Sequence, residues 1–75
     1  MTDFDPELLR QARTLAGLTT AELAERAELS LGQVVRFENG LRPSADSWQR
    51  IEKALRAALD EHVRAAEKMR KRLAA

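Results

Sequence analysis

The feature that most constrains this chain is a pair of helix-start signals set one short helix apart. Thr19 is followed by Glu22 at the spacing of a capping box, in which each side chain satisfies an orphan backbone donor. Ser30 and Gln33 repeat the pattern. Starts this close predict a helix of about two turns from Thr19 or Thr20, a turn near Ala27–Leu29, and a second helix from Ser30–Leu31. Gly40 stops the second helix, where a left-handed residue is wanted. The apolar positions agree with two helices packed across each other. Leu23, Ala24 and Ala27 share one face of the first, and Val34 and Phe37 one face of the second, with Leu29 plugging the turn. Ala24 is small where the axes approach. Leu31, Gly32, Gln33, Val35 and Arg36 are left for the other face or its edges. Crossed helices of this kind present such a face to the major groove of DNA, and the first residues of the second helix reach base edges.

Residues 9–55 resemble the phage-repressor-like (lambda repressor and Cro, or XRE-type) helix-turn-helix family. The matching residues are Arg13, Gly17-Leu18-Thr19, Glu22-Leu23-Ala24, Leu29-Ser30, Val34, Glu38-Asn39-Gly40, Pro43, Ile51 and Ala54-Leu55. Each is common alone, and their joint spacing is the signal. The resemblance implies an all-α head that binds operator DNA, usually as a dimer, and regulates transcription. It also implies an ion pair between Arg13 and Glu38, tying the first helix of the chain to the end of the third. A planar guanidinium suits that bidentate role. The chain departs from the family at Leu31 and Gly32, where polar residues are common, and at Thr20, where glutamine is frequent.

Seventy-five residues allow one small domain with a modest core. The chain has no cysteine, so neither a disulfide framework nor a thiolate metal site is available. No apolar run is long enough to span a bilayer and no secretory pattern stands at the start, so a soluble cytoplasmic protein is expected. The net charge of +1 announces nothing, but its distribution does. Residues 1–28 hold three Arg against six acids, whereas residues 29–75 hold ten Lys or Arg against six acids. The basic excess begins at the proposed reading helix, as an electrostatic footprint should. A solvated surface with scattered charge is the plainer reading.

The rest of the chain supplies the frame. Met1–Phe4 reads as a short tail, and Asp5-Pro6-Glu7 as a helix start. The first helix should run from about Pro6 to Ala16, with Leu8, Leu9, Ala12, Leu15 and Ala16 as its apolar stripe. Gly17 ends it and Leu18 enters the core. After the loop Leu41-Arg42-Pro43, Ser44 caps a last helix. Trp48 recurs with Ile51 and Leu55 at helical spacing, which favours core packing over base stacking. From Gln49 onward there is no Gly, Pro, Ser, Thr or Asn. Acid-to-base pairs four apart are set at Asp60–Arg64 and Glu67–Lys71. One long helix from about Ser44 to Arg72 follows, on the order of 40 Å at 1.5 Å per residue. It should carry a seam of Leu55, Leu59, Val63, Ala66, Met69 and Leu73, read as a dimerisation stripe, with His62 filling the gap in its rhythm. A helix bent back on its own head is the alternative. Residues 1–55 are thus expected to form the helix-turn-helix domain and residues 56–75 a C-terminal helical extension for dimerisation.

Base reading should fall to Leu31, Gly32, Gln33 and Arg36. Gln33 suits adenine, Arg36 guanine and Leu31 a thymine methyl, and Gly32 permits close approach. Phosphates should be met at Thr20, Ser30, Asn39 and Arg42. Catalysis is not expected. His62 is the single histidine, its acidic neighbours do not converge on a point, and no glycine-rich phosphate cradle exists. Neither cofactor nor metal is expected. Two functional readings stand open. One is a DNA-binding repressor or regulator acting as a homodimer on a palindromic operator. The other is a protein-interaction module on the same fold, antitoxin-like or a scaffold subunit, whose partner covers Leu31, Val35 or the long helix.

Overall fold

The computed structural model describes residues 4–74. Four helices follow in order: α1 (Pro6–Leu15), α2 (Thr20–Ala27), α3 (Leu31–Glu38) and α4 (Ala45–Ala74). No strand occurs among the described residues. The fold is all-α, with a long last helix, as its sequence pattern predicts.

Each start is written in side chains. The Asp5 carboxylate accepts from the amides of Glu7 at 2.9 Å and Leu8 at 3.4 Å, with Pro6 at the first helical position. Thr19, not Thr20, caps α2: its hydroxyl accepts from the Glu22 amide at 3.1 Å, and Glu22 accepts from the Thr19 amide at 2.9 Å. That donation from the backbone, with the Thr19 hydroxyl next, holds the Glu22 carboxyl below its ordinary value. Ser44 starts α4, accepting from the Ser47 amide at 3.1 Å. The helix ends differ more. Gly17 and Gly40 take the positive φ of +73° and +113° that stops α1 and follows α3. α2 stops on Glu28 at φ 58°, ψ 42°, a left-handed position filled without glycine.

The core joins one line from each helix: Leu9 and Ala16 of α1 and its end, then Leu18, then Leu23, Ala24 and Ala27 of α2. Val34 and Phe37 of α3 and Ile51, Ala54, Leu55 and Ala58 of α4 complete it. Leu9, Leu23, Val34 and Ile51 are the largest fully buried side chains. Each contributes about 1.5–3 kcal/mol by burial.

Several sequence expectations change. Leu8 and Leu15 are exposed rather than part of the α1 stripe. Each lies about 100° around the axis from its buried neighbour, Leu9 or Ala16, and only one narrow line of α1 meets the head. Phe4 is not tail: it packs on the core and meets Trp48 edge to face, with ring centroids at 5.9 Å and planes at 78°. Trp48 is over a third exposed and covers that edge instead of entering the core. Met1–Asp3 of the expected tail lie outside the described residues. Leu55 is buried in the monomer and Leu59 is half-buried against the core. The head therefore runs past residue 55, and Leu55 is not available to a seam.

Beyond the head α4 continues without a break. Its 30 residues span about 45 Å at 1.5 Å per residue, and the longest dimension of the molecule is 47 Å. Every residue from Asp60 to Ala74 is exposed, so the helix projects instead of folding back. Arg64 pairs with Asp60 at 3.1 Å, whereas Glu67 and Lys71 do not pair with each other. No described helix is long and apolar enough to cross a membrane.

Candidate nucleic-acid interface

α3 is a short helix with two sharply different sides. Val34 and Phe37 face the core, and Glu38 is buried with them. The opposite side carries Leu31, Gly32, Gln33, Val35 and Arg36, all exposed. Apart from its chain neighbours and the backbone of its own helix, no atom lies within 4 Å of where a Gly32 Cβ would sit, so the N-terminal turn of α3 opens directly to its surroundings. This is the side left over by the apolar pattern, and packing alone leaves it uncovered.

The orientation of α3 is set at its far end. The Glu38 carboxylate accepts from Arg13 Nε at 3.0 Å and Arg13 Nη2 at 3.1 Å. The remaining Arg13 amino group donates to the Leu18 carbonyl at 2.9 Å. Arg10 adds a second tie: its Nη2 donates to the Glu38 carbonyl at 2.8 Å, and its Nε lies 3.6 Å from the carboxylate. A carboxylate only 7% exposed thus meets two guanidiniums, which offsets its desolvation. Arg10 was not picked out by the sequence reading. It stands three residues before Arg13 and one helical turn away, and that spacing was the available signal.

The near end is set by the second capping box. Ser30 Oγ accepts from the Gln33 amide at 3.2 Å, and Gln33 Oε1 accepts from the Ser30 amide at 3.0 Å and from Ser30 Oγ at 3.2 Å. This changes what Gln33 offers. Bidentate adenine recognition needs the side-chain carbonyl to accept and the amide to donate. Here the carbonyl is engaged by Ser30, so in this geometry Gln33 presents a donor alone. The Ser30 hydroxyl is engaged in the same box.

The cations divide into two groups. Arg10, Arg13, Arg26, Arg50, Arg56 and Arg64 each have a carboxylate within 4 Å. Among the described residues, Arg36, Arg42 and Lys53 in the head and Lys68, Arg70, Lys71 and Arg72 near the end of α4 have none. Arg36 projects from α3; Arg42 lies in the following loop, lining a groove with Phe4, Leu8 and Trp48. Asn39 caps the end of α3 through its backbone and is exposed. Thr20, the first residue of α2, is half-buried.

His62 lies on α4, with Nδ1 3.6 Å from the position a Gly17 Cβ would take. No group of three or more His, Cys, Asp or Glu able to hold a metal occurs among the described residues.

A family model described as helix-turn-helix matches residues 9–62. That span runs from Leu9 in α1 through α2 and α3 and along α4 as far as His62, whose side chain rests on Gly17. No curated protein and no solved structure matches the chain.

Proposed function

The chain belongs to the XRE-type helix-turn-helix family, whose domains are DNA-binding and of the transcription-regulator type; on that premise we propose that it is a sequence-specific repressor that binds a palindromic operator as a homodimer. The observation that carries this reading is the outward side of α3, exposed from Leu31 to Arg36 while its other side is locked to α1 by Glu38. Leu31, Gly32, Gln33 and Arg36 form the base-reading set, with Arg36 the donor fork for guanine. Phosphate contacts fall to the α2 start at Thr20, the α3 start at Ser30, Asn39 and Arg42. Residues 1–55 supply the reading unit, its core extended to Leu59 by the helix that continues as the 56–75 extension. The role is binding rather than catalysis.

A dimer follows from the size of the surface. One short helix covers a few base pairs, too few to select a site among genomic competitors. Two copies related by a two-fold axis read inverted half-sites about 34 Å apart or a multiple of it.

A second reading has one observation in its favour. Leu31 and Val35 are 51% and 41% exposed, which puts apolar surface where the family commonly has polar readers. A protein partner seated on α3 would cover it.

Selection of bound fragments from the source genome, at low and raised salt, tests both. The repressor reading expects an enriched inverted repeat and affinity that falls linearly with the logarithm of salt concentration. Retention of no fragment at low salt, or of all fragments alike, would overturn it, and the first outcome favours the protein partner.

A further inference from the structure

The exposed part of α4 carries more information than its apolarity. Ile51, Leu55 and Ala58 lie on the side of α4 that faces the head. Steps of three and four residues continue that line through His62, which rests on Gly17 at the rim of the head, and on through Ala65, Ala66, Met69 and Leu73, all exposed. Val63 flanks the line. Leu73 is 80% exposed, which leaves a large apolar side chain in water at the end of a stiff helix.

We propose that this segment pairs with the same segment of a second copy running in the opposite direction, about a two-fold axis close to Ala65–Ala66. The inference rests on the homodimer reading above and gives it a geometry. Two independent features select the antiparallel arrangement.

The first is shape. Leu59 and Leu73 lie seven residues to either side of Ala66. Reversing the helix about Ala66 therefore lays Leu73 of one copy beside Leu59 of the other, at the edge of the head where His62 rests on Gly17. The small residues fall in the middle, where two axes can approach most closely.

The second is charge. The exposed segment begins with Asp60 and Glu61 and ends with Lys68, Arg70, Lys71 and Arg72. Asp60 and Glu61 pair with Arg64 and Arg26, yet their side chains remain 63% and 64% exposed. Among the described residues, the four cations near the end have no carboxylate within 4 Å. A parallel pair would set those cations beside their own copies. With the axis at Ala66 the antiparallel pair sets Lys71 and Arg72 beside Glu61 and Asp60 of the other copy, while Lys68 falls opposite Arg64 and Arg70 opposite His62, and charge pairs flanking a helix seam set partner orientation.

The chain lacks cysteine, so introduced thiols report the arrangement directly. Light scattering of the full-length chain at tens of micromolar is measured first, and circular dichroism checks that each variant stays helical. Under mild oxidation, Ala66→Cys should link to itself, and a mixture of His62→Cys and Met69→Cys chains should link across. Leu73→Cys alone should stay unlinked, since its two copies would lie about 21 Å apart along the bundle. A disulfide needs Cα atoms within about 7 Å. Efficient linking of Leu73→Cys with no link in the mixture would show parallel helices and overturn the proposal. A dimer with no link at any of these positions overturns it too, while the homodimer reading survives. A clean monomer overturns both, and the fragment selection then judges DNA binding separately.

Discussion

Arg13→Ala is the perturbation whose size the structure fixes best. It removes two of the donors to a carboxylate that is 7% exposed and leaves the Leu18 carbonyl without its guanidinium partner. Breaking a buried pair by deleting one member costs about 3–5 kcal/mol, because the other charge stays buried. Arg13 keeps 17% of its side chain exposed, and Arg10 still lies 3.6 Å from the carboxylate, so the low end applies, about 3 kcal/mol. At 0.05–0.15 kcal/mol per residue a domain of this size is stable by roughly 4–11 kcal/mol. The loss is therefore a large share of the whole. At about 4–8 °C per kcal/mol the melting temperature should fall by roughly 12–24 °C. Thermal circular dichroism measures it. A fall of under about 4 °C would mean that Arg10 alone satisfies Glu38, and the claim that Arg13 anchors α3 would fail. The paired variant Arg13→Met with Glu38→Leu separates burial from attraction, since replacing both members by apolar groups is often neutral. It should recover most of the melting temperature.

Arg36→Ala should cost specific binding about 1–3 kcal/mol and relax preference at one base pair. Arg42→Ala should weaken cognate and scrambled duplexes alike and lower the salt slope, and equal losses on both duplexes for Arg36→Ala would remove it from the reading set. Gln33→Glu keeps an acceptor for the Ser30 amide and adds negative charge at a helix start, so melting temperature should hold or rise while titrations show weaker DNA binding; unchanged affinity would show that the Gln33 donor touches no base. Glu28→Asn relieves a left-handed position at φ 58° and gives up an exposed ion pair with Arg50 at 3.5 Å. A gain of roughly 0.5 kcal/mol in urea, with unchanged slope, is expected, and a lower midpoint would contradict the strain. The Glu22 carboxyl titrates below its ordinary value because the Thr19 amide donates to it, so its stabilisation is present above that value and is lost as pH falls through the lowered one. Urea midpoints of wild type and Glu22→Gln should therefore converge as the pH falls below 4.5, the ordinary value of this carboxyl; a constant gap would exclude that coupling.

The starts of the helices were legible because each is a local sentence. Thr19 with Glu22, Ser30 with Gln33, and Asp5 with Pro6 satisfy donors within four residues, so sequence spacing is spatial spacing. The buried faces of α2 and α3 were legible for the same reason. What failed depends on neighbours. Leu15 is apolar and correctly spaced, yet no element covers its side of α1. Trp48 fits the core rhythm of α4, yet the position looks toward Phe4 at the rim. Leu55 was read as seam because nothing in a single helix says where a head stops covering it. The spacing of the two helix starts placed a turn near Ala27–Leu29, but its left-handed stop at Glu28 carried no signal, since glycine is the usual mark of such a stop and is absent there. Within the candidate interface the exposed residues were legible, but the state of Gln33 was not.

That state bears on how reading and holding are linked. The Gln33 carbonyl and the Ser30 amide satisfy each other at 3.0 Å, and both lie at the N-terminal turn of α3. Full adenine recognition would need that carbonyl to turn toward the base. The Ser30 amide would then be left without its partner, at the positive end of the helix dipole, where a phosphate oxygen is the natural replacement. One rotation of Gln33 thus converts an internal cap into two external contacts, one to a base and one to the backbone. The box is exposed, so water can take the place of either partner, and the two contacts would favour each other without requiring each other. A phosphate offered without adenine leaves the cap intact and the Ser30 amide occupied. If Gln33 reads adenine as proposed, the capping box would couple the two contacts, so that a correct base would free the Ser30 amide for a phosphate.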